Sequence, residues 1–469
     1  MTTSHTRTWV LILSSVASLM VALDALVVST ALSTIRLDLG ASIEQLEWTV
    51  NAYNLSFAVL LMTGAAIGDR LGRRRVFAGG LALFVAASAA CALAPDVGTL
   101  IAARAVQGAG AAAIMPMALA LLSANFPSEL RGRAMGAFSG ITGLAVLSGP
   151  VVGGALAQGA AWEWIFWVNV PIGLIAIPLV LRRMPESFGA RARIDVAGLA
   201  LVTGAALGVV WGLVRGNSAG WGSLEVVGSL AAGLALGIGF VAVELRVRAP
   251  MLPMRLFRSR PFAAGNATTF FLLASLFGAV FFAAQFLQTA LGYGPLDAGL
   301  RLLPWTAMLF FVAPVAGSLL NRLGERRLIV TGLSLQALGM AWIGLVADPS
   351  VAYGELVPAF VIAGAGVSMA LPAAQTAVMG AVAPAEAGKA SGTFNTMRQL
   401  GGVFGIALLV AVFAGAGGYA SPAAFVDGFG PAAGVSAGLA VIGAVTGLAL
   451  PRRRTVAAPA GAAVAEAAS

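Results

Sequence analysis

The sequence predicts an all-α membrane protein: two six-helix bundles joined by two additional helices. Three observations carry that expectation. The 469 residues are 59% hydrophobic and only 10% charged, with a mean hydropathy of +0.92. Soluble domains run at about 45–50% apolar and about 25% charged, so there is too little charge here to cover a soluble surface. Cutting the chain at every Asp, Glu, Lys and Arg leaves thirteen long uncharged runs. Similar segments also recur 252 to 256 positions apart. A soluble enzyme is excluded.

A bilayer-spanning helix needs about 20 mainly apolar residues. Residues 9–35 supply the first span, interrupted only by Asp24. It reads as an uncleaved first helix rather than a signal peptide. The uncharged runs that follow are 48–68, 76–95, 105–128, 134–162 and 164–181, which complete a first set of six. Runs 196–214 and 226–243 form a linking pair. Runs 261–296, 302–321, 328–347, 356–385, 399–426 and 428–451 make the second six. Many are apolar all round, as lipid-embedded helices are. Their abundant glycine suits close helix packing. No alternating segments of about 10 residues, the mark of a membrane barrel, are present.

Fourteen spans put both termini on one side. Of the 28 basic residues, 23 fall on that side, three (Arg36, Arg215, Arg301) lie opposite, and two (Arg104, Arg398) lie within or near spans. The positive-inside rule then places both termini in the cytoplasm of a multi-pass inner-membrane protein. The net charge of +9 is therefore topological, and no nucleic-acid partner is expected. One cysteine (Cys91) and one histidine (His5) leave no parts for a disulfide framework, a metal centre or a Ser-His-Asp site.

The internal repeat aligns Gly72 with Gly324, Gly108-Ala109-Gly110 with Gly364-Ala365-Gly366, Pro116 with Pro372, and Gly132-Arg133-Ala134 with Gly388-Lys389-Ala390. Repeated halves point to a transporter that rocks about a central site. The expected units are residues 1–193, a linking pair at 194–250, residues 251–455, and a disordered cytoplasmic tail at 456–469. Pro250 to Pro261 reads as an amphipathic segment lying on the headgroups.

Asp24 is the acid clearly inside a span, where insertion costs roughly 2.5–3.5 kcal/mol. Burial raises a carboxyl pKa and a nearby cation lowers it, so such a group can exchange protons near neutrality. Arg104 stays charged in any protein environment and is its natural partner. A static ion pair, or an Arg104 that snorkels to the interface, are the plainer readings. Gly108 to Ala113 loosely fits a dinucleotide fingerprint but lacks the strand and the acid that one requires. Asp69-Arg70-Leu71-Gly72-Arg73-Arg74-Arg75 fills a short turn, where positive-inside charge explains the arginines but not Asp69 or Gly72. Gly149-Pro150-Val151-Val152-Gly153-Gly154 lies inside the fifth span, with Gly136 ahead of it.

In this order the motifs resemble the major facilitator superfamily, in its fourteen-helix drug:proton antiporter branch, from about Leu23 to about Leu450. Trp162-Glu163-Trp164-Ile165-Phe166-Trp167-Val168-Asn169-Val170-Pro171-Ile172-Gly173 resembles a signature of that branch, with Glu163 where Arg is usual. The resemblance implies proton coupling by Asp24, Arg104 and Gln107. It implies a cytoplasmic gate at Asp69, Arg70, Gly72, Arg73 and Arg74, the acid pairing charges across the halves and capping a helix N-terminus. It also implies an antiporter motif at Gly136, Gly149, Pro150, Gly153 and Gly154. The chain departs from the family pattern at Leu26, Ser29, Ser33, Ala65 and Ala145. The repeat carries Asn321 in place of the gate acid and Phe360 in place of Arg104.

The candidates for contact with substrate are Asn54, Gln285, Gln288, Asn395 and Arg398, with Gln399 beside them. Phe270, Phe271, Phe277, Phe281, Phe282 and Phe286 crowd one helix and read more readily as packing than as a cage. With no second intramembrane acid to favour dications, neutral, weakly basic and anionic compounds all stay open. The expected function is a monomeric, proton-coupled antiporter that exports hydrophobic drug-like molecules or antibiotics, with no cofactor beyond the proton gradient. A dedicated exporter of one metabolite, siderophore or lipid is the alternative. A sensor without flux would need a soluble domain that the short hydrophilic segments do not provide.

Overall fold

Fourteen membrane-length helices form the computed structural model, which describes residues 3–189, 195–247, 250, 252–383 and 386–451. The first six are α1 (His5–Leu39), α2 (Ile43–Leu71), α3 (Arg73–Ala92), α4 (Val97–Asn125), α5 (Arg133–Gly159) and α6 (Trp164–Arg183). The linking pair is α7 (Val196–Ala219) and α8 (Leu224–Glu244). The last six are α9 (Arg260–Ala290), α10 (Pro295–Leu320), α11 (Glu325–Val346), α12 (Tyr353–Met379), α13 (Gly388–Ala416) and α14 (Pro422–Gly447). The chain is a multi-pass membrane protein with the fourteen spans its hydropathy predicts. The expected tail at 456–469 lies outside the described residues.

Local chemistry sets the helix starts. Ser42 and Gln45 form a reciprocal capping box at the start of α2. Ser223 and Ser421 accept from the backbone N–H three residues later at the starts of α8 and α14. Asp96 starts α4 by accepting from both the backbone N–H and the hydroxyl of Thr99, which holds its carboxyl below the usual range. Because that pKa is lowered, the cap is kept on acidification until the pH falls through the lowered value. Gly72 (φ 111°) separates α2 from α3, and Gly324 (φ 78°) repeats the break after α10. Only glycine adopts such angles readily, so the sequence repeat is also a repeat of backbone conformation.

The halves meet through two symmetric seams, α2 on α13 and α5 on α10. The linking pair packs on itself and against α2 and α13, where Val210 and Val214 join Leu55, Val59, Val403 and Ala407. Pro250–Pro261 holds a short helical turn at Met254–Arg258 whose Leu256 packs with Phe262, Val378 and Phe394. One large apolar core unites both halves, from Val27, Ala31 and Leu46 to Phe282, Phe286 and Phe413. The other two major clusters each stay within one half, one from Val10 to Met184 and one from Ala264 to Leu450. The molecule is therefore welded across its middle at the face away from the termini and parted at the face that bears them. These are the far face and the terminal face.

Candidate functional site

Parting of the halves leaves a cavity of about 1020 Å³, lined by α1, α2, α4 and α5 from one half and α9, α10, α12 and α13 from the other. Asp69, Arg73, Gly388 and Lys389 mark its mouth at the terminal face. The wall is mostly apolar, with Leu its commonest residue and Met62, Met115, Met117, Met135 and Met379 among the others. Methionine is flexible and polarizable, which suits a wall that must accept varied apolar shapes.

Behind that wall lies a buried polar cluster. Val21, Ala22, Ala25 and Leu26 face the cavity, whereas Asp24 points away from it and is only 2% exposed. Arg104 Nη1 donates to Asp24 Oδ2 at 2.5 Å and to Gln107 Oε1 at 2.6 Å. Arg104 Nε donates to the Thr49 carbonyl, and its guanidinium lies 4.2 Å above the Tyr53 ring centre. Asp24 Oδ1 accepts from Gln107 Nε2 (2.8 Å) and Asn169 Nδ2 (3.0 Å). Ser88 Oγ accepts from both of those amides. A carboxylate that takes three donors at once, one of them cationic, is solvated by protein rather than by water.

This arrangement requires close helix approach. A Cβ on Gly108 would lie 2.3 Å from the Tyr53 carbonyl oxygen, so α4 can bring Arg104 against α2 only because that position carries none. Ser88 and Asn169 were not singled out from the sequence. Asn169 left a signal, as the lone polar side chain between Trp167 and Arg182. Ser88 left none. In the second half, Phe360 stands where Arg104 would repeat and stacks on Trp305, so that copy of the site is apolar.

The far face is sealed where the glycines around Pro150 let α5 approach α1 and α10. A Cβ on Gly154 would lie 2.3 Å from the Pro295 carbonyl oxygen, and one on Gly299 would lie 2.2 Å from that of Pro150. Gly149 and Gly153 admit Leu26 and Thr30 of α1 in the same way, while Gly136 faces open space and takes no part. At the end of α9 a π-helical turn, Phe286–Ala290, carries Gln288 to the Thr30 carbonyl at 2.9 Å. The Arg36 guanidinium covers the Tyr419 ring, whose hydroxyl donates to Gln285; burial pushes that hydroxyl's pKa up. Gly154→Val is expected to force this seal open. Labelling of a Gln288→Cys probe from the far side should rise several-fold over a background kept low by the single, buried Cys91. Unchanged labelling would refute the seal.

Several residues sit elsewhere than the sequence predicts. Asp69 pairs with Arg73 of its own turn at 2.7 Å, and no contact to the second half is made among the described residues, because the halves are apart at this face. The N-terminus of α3 is capped by Glu186, which accepts from the Arg74 N–H, and not by Asp69. Arg74 donates to the Leu181 and Met184 carbonyls, Arg70 is exposed, and Gly72 packs against Glu186. Of the substrate candidates, Asn395 and Arg398 line the cavity, together with Gln399. Asn54, Gln285 and Gln288 do not, since α2 buries the first and the far-face seal uses the other two. Of the six phenylalanines only Phe277 reaches the cavity.

A second acid is also buried in a span. Glu47 is fully buried and accepts from Asn51 Nδ2 at 3.0 Å. The uncharged run begins one residue later, but α2 starts at Ile43, so the helix carries this acid inward.

The Major Facilitator Superfamily model matches residues 14–406. A tetracenomycin C resistance and export protein of Streptomyces glaucescens is 37% identical over 414 residues, 86% of this chain and 75% of that protein. A cephamycin export protein of Amycolatopsis lactamdurans is 37% identical over 438 residues, covering 92% of this chain and 89% of the relative. A crystallised peptide transporter of the POT type superposes with a TM-score of 0.70 at 16% identity, over 94% of this chain and 93% of that one, a likeness of fold alone. With a matched family model, two such relatives and a cavity between repeated halves, the chain belongs to the Major Facilitator Superfamily.

Proposed function

We propose that the protein is a proton-coupled antiporter that exports hydrophobic, drug-like small molecules or antibiotics, as a monomer with no cofactor beyond the proton gradient. The observation that carries this reading is the buried Asp24–Arg104 pair at 2.5 Å, lying behind the wall of an apolar cavity. The names of the relatives, which are resistance and export proteins, support the cargo. The basic charge bias supports a cytoplasmic terminal face in the inner membrane, so the cavity opens to the cytoplasm and is ready to load.

In this facing state Asp24 is paired with Arg104. Opening the far face brings the proton supply to it. Protonation cancels the charge, removes Arg104's partner and makes the two facing states unequal in proton affinity. A gradient then biases the rocking equilibrium, as linkage requires.

The test uses inverted vesicles with an acidic lumen. Unrelated lipophilic dyes and antibiotics are expected to accumulate inside, and a protonophore should abolish the accumulation. Uptake of a single compound would favour a dedicated exporter. Accumulation indifferent to the gradient would overturn the coupling.

A further inference from the structure

Among the described residues, five charged side chains line the cavity: Asp69, Arg73, Asp195, Lys389 and Arg398. Four of them are accounted for at or near the mouth. Asp69 and Arg73 neutralise each other at 2.7 Å. Asp195 caps α7 by accepting from the Gly198 N–H at 2.8 Å. Lys389 is exposed at the terminal face. Arg398 lies nine residues further along α13, about 13 Å deeper at 1.5 Å per residue.

No carboxylate among the described residues lies within ion-pair distance of Arg398, and its Nε is buried without a hydrogen-bond acceptor. A guanidinium does not shed its proton in a protein, so it cannot escape this setting by becoming neutral. The other intramembrane arginine, Arg104, has a carboxylate, an amide oxygen, a backbone carbonyl and two rings around it. Only the Arg104 Nη2 is left without an acceptor there, so one intramembrane arginine has an anion and several further partners, while the other, the one that faces the transport cavity, has no anion beside it among the described residues. The same cavity wall offers Asn395, Gln399 and Gln375 as neutral hydrogen-bonding groups, and Phe277, Leu276 and Val280 of α9 as apolar surface.

We propose that Arg398 anchors a substrate subsite for an acidic headgroup, a carboxylate or an ionised phenol or enol, carried on an apolar body. The inference rests on the exporter reading and narrows it to a substrate class. The headgroup supplies the acceptor that the protein omits, and against a partly buried guanidinium a bidentate, charge-assisted contact is stronger than in bulk water. The methionine-lined remainder of the cavity takes the apolar body. Lys389 at the mouth adds a steering charge of the same sign. Cations gain less, because both lining carboxylates are engaged outside the deep part of the cavity.

The experiment compares one lipophilic dye in two forms, a pyrene-type carboxylic acid with no phenol or other ionisable group and its methyl ester, on the full chain in proteoliposomes. Binding is read by quenching of tryptophan fluorescence, and transport by flux under a pH gradient. Wild type is expected to bind the acid about tenfold or more tightly than the ester, the worth of one charge-assisted contact. In Arg398→Gln that preference for the acid should vanish, and in Arg398→Lys most of it should return. Equal binding of acid and ester by wild type would overturn the subsite without recourse to any variant. A preference that survives in Arg398→Gln would overturn it too. Discriminating binding with no gradient-driven flux of either dye would sink the exporter reading and leave the subsite standing. Driven flux of the ester without preferred binding of the acid would do the reverse.

Discussion

Asp24→Asn is expected to abolish gradient-driven efflux, by 100-fold or more, while leaving substrate exchange across a membrane without a gradient. The physical reason is that an amide has the shape of the carboxylate but can neither lose nor gain the proton that couples the cycle. Its Oδ1 can still accept from Gln107 and Asn169, which are 2.8 and 3.0 Å away in the native cluster. The variant therefore resembles the protonated form held permanently, and its facing equilibrium no longer responds to pH. Gradient-driven dye uptake into inverted vesicles, set against counterflow in the same vesicles, separates lost coupling from lost binding. Gradient-driven flux at the wild-type level would refute the role of Asp24.

Arg104→Leu is expected to destabilise the fold strongly. It leaves the Asp24 carboxylate buried with only two neutral donors, and breaking a buried pair from one side costs about 3–5 kcal/mol. It also removes the donor to the Thr49 carbonyl and the cation above Tyr53, two ties between α4 and α2. Thermal unfolding in detergent should show a lowered Tm. Most of that loss should return in the double variant Asp24→Asn with Arg104→Leu, because no uncompensated charge remains. Transport should be absent in both. Equal destabilisation in the single and double variants would mean that packing, and not charge, is what Arg104 supplies.

Much of this site could be read in the chain alone. Asp24 and Arg104 stand out because a charge in an apolar run is costly wherever the run is buried. Gly108 and the glycines around Pro150 stand out because small residues mark close approach between helices. The sequence could not say which polar neighbours converge on Asp24, since Ser88 and Asn169 lie on α3 and α6, and either could have faced any neighbour. Asn54, Gln285 and Gln288 illustrate the same limit, being polar and within spans yet turned into α2 packing or the far-face seal. Glu47 was hidden by a boundary, because charge ends an uncharged run whether or not it ends the helix. Asp69 was read for a contact between halves, but whether the halves touch at that turn depends on which way the molecule faces.

By itself the sequence determined the fourteen spans, the two-fold repeat, the basic bias of one face and the two charges that must find each other. Those properties follow from the cost of polar groups in hydrocarbon, which each segment bears alone. The three-dimensional arrangement adds that the far face is closed, that Asp24 is turned away from the cavity, that Glu186 caps α3, and that no anion among the described residues lies beside Arg398. These depend on contacts between helices distant in the chain, where a rotation of one helix by a single residue's 100° exchanges a lining side chain for a buried one.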